Sequence, residues 1–257
     1  MEIIIISIVA FLTAILTFFS GFGLGTILTP VMMLFFPVEI AIALTGVVHF
    51  SNNIFKLFLV GKTFDKQVLI RFGIPAVIFA FFGALLLLKI PNQEPIYTYN
   101  IYDKVFEIYL IKLIVAILMM FFAVIELIPF FNNLQFNKTK LPIGGILSGF
   151  FGGLTGAQGA LRSAFLIRSG MTKETFIGTT VVISCFVDLT RLSVYSTELI
   201  QIIFKENYLL ILFATLSAIS GAFIGNKLLK KVTLVFLQKT VAIMLLMISL
   251  ALVLGLI

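Results

Sequence analysis

Residues 39–56 read EIAIALTGVVHFSNNIFK, and residues 174–191 read ETFIGTTVVISCFVDLTR. The two stretches align without a gap at an offset of 135, which sets Glu39 on Glu174, Thr45 on Thr180, Asn53 on Asp188 and Lys56 on Arg191. Each follows a glycine-rich run, SGFGLGT at 20–26 in the first case and GFFGGLTGAQG at 149–159 in the second. Farther along, FFGALLLL at 81–88 resembles SGAFIGNKLL at 220–229. Self-similarity at a fixed distance describes the whole architecture, so it is read before any motif.

Working outward, the apolar residues between these landmarks decide the solvent. They make up 61% of the 257 positions, and charged residues 11%, against about 45–50% and about 25% in soluble domains. Apolar segments fall at 3–36, 38–60, 67–90, 104–130, 142–170, 172–196, 206–229 and 232–257. About 20 apolar residues cross a bilayer, so the chain reads as an all-α polytopic membrane protein. Its +7 net charge sits in short clusters between the segments, where basic residues mark cytoplasmic loops rather than a nucleic-acid partner. Met1 and Glu2 lead into the first segment without a basic region, so no cleaved signal is expected. Cys185 is alone, which excludes an intramolecular disulfide and a cysteine-clustered metal site.

Two segments have the wrong length. The first, of 34 residues, would be about 51 Å as one helix against an apolar core of about 30 Å. The fifth, of 29 residues, has the same excess, and both carry a glycine break near the middle. Each is expected to fold back as a re-entrant hairpin, which is tolerated only where protein or water surrounds it. Charge counting agrees. With hairpins, one face receives eleven basic residues (Lys56, Lys62, Lys66, Arg71, Lys138, Lys140, Arg168, Lys173, Lys227, Lys230 and Lys231) and the other four (Lys89, Lys104, Lys112 and Lys205). Eight simple crossings would split them eight to seven, with no bias. The expected organisation is therefore a first repeat at 1–130, a linker at 131–141 and a second repeat at 142–257. Each repeat has one broken segment plus three transmembrane helices. Three is odd, so the halves insert in the cell membrane as inverted repeats, with the basic face cytoplasmic and both termini outside the cytoplasm.

Helix N-termini buried at the two breaks carry unpartnered N–H groups and about half a positive charge each, a natural seat for a desolvated anion. The candidate binding residues are Gly21, Gly23, Gly25 and Thr26 at the first break, and Gly156, Gln158, Gly159 and Arg162 at the second. Asn52, Asn53, Asp188 and Arg191 join them on the repeated helices. Arg162 adds a fork of donors suited to a pair of oxyanion oxygens. The bland readings are glycines that only let helices approach, and long basic side chains, Arg162, Lys56 and Arg191 among them, that snorkel to the headgroups. Asp188 and Arg191 share a helix face and can neutralise each other. His49, the one histidine, reads as a helix-to-helix hydrogen bond before a proton relay or a metal ligand.

The pattern GFGLGTILTP at 21–30, then AIALTGVVHFSNN at 41–53, repeated as GGLTGAQGALRSAFLIRSGMTKETFIGTT at 152–180, resembles the TauE/SafE sulfite exporter family over nearly the whole chain. Leu24 interrupts the glycine run of many members, and Phe165 stands at the second-half position of Pro30. The resemblance implies a duplicated helical unit, no bound cofactor, and transport of small sulfur-containing anions such as sulfite, sulfonates or sulfoacetate. The expected function is a secondary transporter for such anions working by alternating access, with a homo-oligomer left open. A lipid scramblase with paired hairpins is the alternative. An intramembrane enzyme fits less well, because the chain has no Ser–His–acid set, metal-ligand spacing or nucleotide loop.

Overall fold

The computed structural model describes residues 1–90, 94–102, 104–128, 138–201, 205–228 and 234–256. Most of the expected linker, and 129–130 and 229–233 at segment ends, lie outside the described residues. The helices are α1 (Glu2–Ser20), α2 (Gly25–Met32), α3 (Val38–Val60), α4 (Lys66–Lys89), α5 (Leu110–Leu127), α6 (Leu141–Thr155), α7 (Gln158–Leu166), α8 (Lys173–Gln201), α9 (Tyr208–Leu228) and α10 (Leu234–Val253). Among the described residues α3, α4, α8 and α9 are long and apolar enough to cross a bilayer, while α1, α5, α6 and α10 contribute shorter apolar stretches. Polarity is turned inside out: Phe58 is 78% exposed and Arg191 is 0% exposed. With lipid as the solvent, that is the stable arrangement. The protein is an all-α polytopic membrane protein.

Both over-long segments break. Gly21 (φ 72) ends α1 and Gly156 (φ 76) ends α6, each in the left-handed conformation that glycine enters without a Cβ penalty. The break at 149–159 is narrower than expected, because Gly149, Gly152 and Gly153 belong to α6. Their role is close packing. A Cβ added at Gly145, Gly149 or Gly153 would lie 2.2, 2.0 or 2.1 Å from the carbonyl oxygens of Phe72, Ala76 and Ala80. The two numberings rise together, so α6 lies parallel to α4 with backbone almost on backbone, as small residues permit in lipid. In the same way a Cβ added at Gly221 of α9 would lie 2.3 Å from the Phe11 carbonyl oxygen of α1. By contrast α3 and α8 are antiparallel, since Gly46 faces Leu192 while Gly178 faces Val60. The α5 and α10 helices also pack on each other. The most extensive helix pairings, α4 with α6, α1 with α9, α5 with α10 and α3 with α8, all join an element before residue 130 to one after 140.

Asp65 starts α4 by accepting the N–H groups of Gln67 (2.8 Å) and Val68 (3.0 Å). Pro75 has no N–H for the preceding turn, and residues Leu69–Gly73 widen into a π turn. One expected segment needs correction: 104–130 is not helical from its start. Residues Lys104–Ile108 form β2, antiparallel to β1 (Tyr97–Ile101), and the helix begins at Leu110. The sequence YTYNI–YD–KVFEI alternates aromatic and β-branched with polar residues, a period of two that hydropathy averaging conceals. Tyr99 stacks on Phe106 at 5.2 Å and donates its hydroxyl to the Leu254 carbonyl beyond α10.

Candidate functional site

The two breaks meet. Gly25 is so close to the second break that a Cβ there would lie 3.0 Å from the Gly156 carbonyl, and one at Gly159 would lie 1.2 Å from the Phe22 carbonyl. Against this junction pack the facing stripes of α3 and α8, on which Thr45, His49, Asn52, Asn53 and Lys56 oppose Thr180, Ser184, Asp188, Arg191 and Tyr195. All are buried. Spacings of three and four place each set on one helix face.

Asp188 is the hub. Its Oδ2 accepts from His49 Nδ1 at 2.6 Å and from Asn53 Nδ2 at 3.0 Å. Its Oδ1 accepts from Gln158 Nε2 at 2.8 Å and Arg191 Nε at 3.0 Å, with Arg191 Nη2 2.9 Å away. Arg162 Nη1 donates to Gln158 Oε1 at 3.1 Å, and its Nη2 to the Gly21 carbonyl at 3.0 Å. One unbroken chain of polar contacts thus runs from Arg191 through Asp188, Gln158 and Arg162 to the first break. Burying so many charges is tolerable only when they are paired and hydrogen-bonded.

Not every donor is used. Arg162 Nε, Arg191 Nη1, Thr29 Oγ1, Thr45 Oγ1 and both amide atoms of Asn52 are buried without a hydrogen-bond partner. Native proteins leave few such groups, and each marks a place where a ligand or water completes the set. Two of them converge at the second break, where a Cβ on Gly156 would lie 3.1 Å from Thr29 Oγ1 and 3.2 Å from Arg191 Nη1. Across the junction, a Cβ on Gly23 (φ 77) would lie 2.8 Å from His49 Nε2 and 3.6 Å from Arg162 Nη2.

The expected residues therefore divide. Gly21, Gly23, Gly25, Gly156, Gln158, Arg162, Asn53, Asp188 and Arg191 gather at the junction, with Asn52 buried on the same α3 face. Gly159 is wedged under the Phe22 carbonyl, where its lack of a side chain is what lets the breaks touch. Thr26 turns its hydroxyl back onto the Phe22 carbonyl at 2.5 Å, closing the first break rather than presenting a donor. The snorkelling readings of Arg162, Arg191 and Lys56 do not hold, as all three are buried by protein. His49 makes the helix-to-helix bond expected of it. Lys56, which the sequence offers as a basic residue of the cytoplasmic face and a snorkelling side chain at the position matching Arg191, lies 5.1 Å from the Phe18 ring centroid, with no carboxylate partner among the described residues. The gapless repeat was the signal for it. Among the described residues no three metal-ligating side chains gather.

No curated protein matches the chain, and no solved structure does. A family model does: the one described as sulfite exporter TauE/SafE matches residues 6–252, which covers both breaks, both repeated helices and every residue of the buried network. The chain belongs to the sulfite exporter TauE/SafE family.

Proposed function

We propose that this multi-pass membrane protein, a transporter by its family, is a secondary transporter for small sulfur-containing oxyanions of the sulfite, sulfonate or sulfoacetate kind, which it holds between the two glycine breaks. The observation that carries this reading is an excess of buried cations with donors to spare. Among the described residues two buried guanidiniums, Arg162 and Arg191, stand with one buried carboxylate, Asp188, and Arg162 Nε and Arg191 Nη1 have no hydrogen-bond partner. Unbalanced positive charge in a low-dielectric interior favours an anion. Planar guanidinium forks match the paired oxygens of a sulfonate or sulfite.

The antiparallel run of α3 and α8, and the crossed pairing of α4 with α6 and α1 with α9, support two inverted halves, 1–130 and 142–257, that exchange access to the junction. The chain lies in the cell membrane with both termini outside the cytoplasm. Thermal stabilisation of the purified protein by sulfite, thiosulfate, sulfoacetate, taurine and sulfate tests the substrate class. At least one sulfur oxyanion stabilises, and choline does not. Equal stabilisation by choline refutes the reading, and movement of labelled phospholipid in protein-only vesicles would favour a scramblase.

A further inference from the structure

We propose that the protein carries a proton together with its anion, and that Asp188 with His49 is the proton's station. The inference rests on the reading above, that an oxyanion enters between the breaks. Among the described residues Asp188 is the one buried carboxylate. Its two oxygens are filled by His49, Asn53, Gln158 and Arg191. The far ends of two of those side chains face the junction: Arg191 Nη1 toward Gly156, and His49 Nε2 toward Gly23. An oxyanion on Arg191 Nη1 therefore shares one buried guanidinium with Asp188. Two negative charges on the same cation repel strongly where water is excluded. A proton on Asp188 removes that repulsion and leaves the guanidinium to the anion.

His49 supplies the route, because its ring spans from the break to the carboxylate. Nε2 accepts a proton from the junction side while the proton on Nδ1 passes to Asp188 Oδ2, 2.6 Å away. The imidazole ends in its other neutral tautomer, and no bond other than N–H and O–H changes. The ionisable groups around Asp188 are Cys185, Arg191 and Tyr195 on α8, His49 and Lys56 on α3, and Arg162 on α7. The α6 helix has none, and Lys66, Arg71 and Lys89 of α4 are exposed. The sign follows from linkage: a bound anion raises the hold of Asp188 on its proton, so affinity for the anion rises as pH falls.

The test uses thiosulfate and sulfoacetate, whose own ionisation does not change between about pH 6 and about pH 8, the window in which one linked proton gives up to about tenfold tighter binding per unit fall in pH. Binding is measured on the purified protein. Proton movement is measured in proteoliposomes loaded with a pH-sensitive dye, whose lumen acidifies as either anion enters. In Asp188→Asn the ratio of affinities between the two pH values falls below about twofold, whereas in Lys56→Met it persists. Anion movement by the wild type with a flat affinity and no change in lumen pH overturns the proposal. So does a full ratio retained in Asp188→Asn, or a ratio lost in Lys56→Met. If Asp188→Asn does not fold, the wild-type ratio and lumen signal decide. No binding of either anion at either pH, with no stabilisation by sulfite, taurine or sulfate, is the distinct result that removes the substrate reading and this one with it.

Discussion

The two broken segments share a backbone and differ in charge. Gly21 and Gly156, 135 residues apart, end α1 and α6 in nearly the same left-handed turn. Beyond it the first half continues with Leu24, Gly25, Thr26 and Ile27, while the second places Arg162 at the register of Ile27. On the long helices, Asp188 and Arg191 form a closed ion pair, whereas Asn53 and Lys56 at the matching positions do not, and Lys56 lies over an aromatic ring. The comparison teaches that the repeated glycines fix where the chain opens, and that a few unrepeated side chains fix what the opening holds. Under the proposed function, the second half supplies both guanidiniums, Arg162 and Arg191, that hold the anion.

The sharpest way to break the frame is to put a side chain between the breaks. Gly159→Val drives a branched carbon into the Phe22 carbonyl, already 1.2 Å from an ideal Cβ, so a loss beyond about 4 kcal/mol is expected and no folded protein should elute in size-exclusion chromatography. Gly156→Val, strained by its φ and crowded by Thr29 and Arg191, should abolish transport. As the comparison position, Gly170 also has a positive φ but no atom within 4 Å, and Gly170→Ala should cost only about 1–2 kcal/mol.

The ion pair comes next. Arg191→Met strands a buried carboxylate, for about 3–5 kcal/mol of lost stability in denaturant titrations in detergent. Lys56→Met, which has no pair to break, should stay within about 1 kcal/mol of the unmodified protein. Equal costs would show that the halves are not electrostatically different. A smaller effect separates the two breaks as ligands. Arg162→Lys keeps the charge but loses the planar fork, so anion binding should weaken by about 1–3 kcal/mol in thermal-shift titrations. Binding and transport unchanged in both Arg162→Lys and Arg162→Ala would show that the second break holds no anion. Orientation involves no binding energy at all. A cysteine at exposed Thr63, on a Cys185-free background, should be labelled only from the cytoplasmic face. Labelling from outside intact cells would reverse the two ends.

Much of this was legible in the sequence because its signals are physical and local. The bounds of α3 were readable as 38–60, since Pro37 opens an apolar run that Gly61 closes. The breaks were readable because over-long segments and glycines coincide. The hub was not. Asp188 and Arg191 at a spacing of three announce a pair, but nothing in their neighbourhood says that His49, 139 residues away, and Gln158 complete the shell. Contacts between distant segments leave no periodicity. Hydropathy ends the segment at 196 and so places Arg191 near a helix end, within reach of the headgroups, whereas α8 continues to Gln201. Thr26 looked like a donor from its position, and only the geometry reveals that its hydroxyl turns back to the chain.

The glycine stripe of α6, lying on the carbonyls of α4, bears on how the chain is made. Helices emerging from a translocation channel meet their neighbours in order, yet here α1 waits for α9 and α4 for α6, partners synthesised much later. A nascent chain halted before residue 141 has only α1 to α5, their closest-fitting faces bare and turned toward lipid tails that cannot fill grooves shaped for backbone. Assembly is thus postponed until the second half arrives and threads its helices among those already present. Inherited faults late in the coding sequence therefore strike the earliest helices as hard as their own, and the birth order of the protein differs from the order in which its parts become secure.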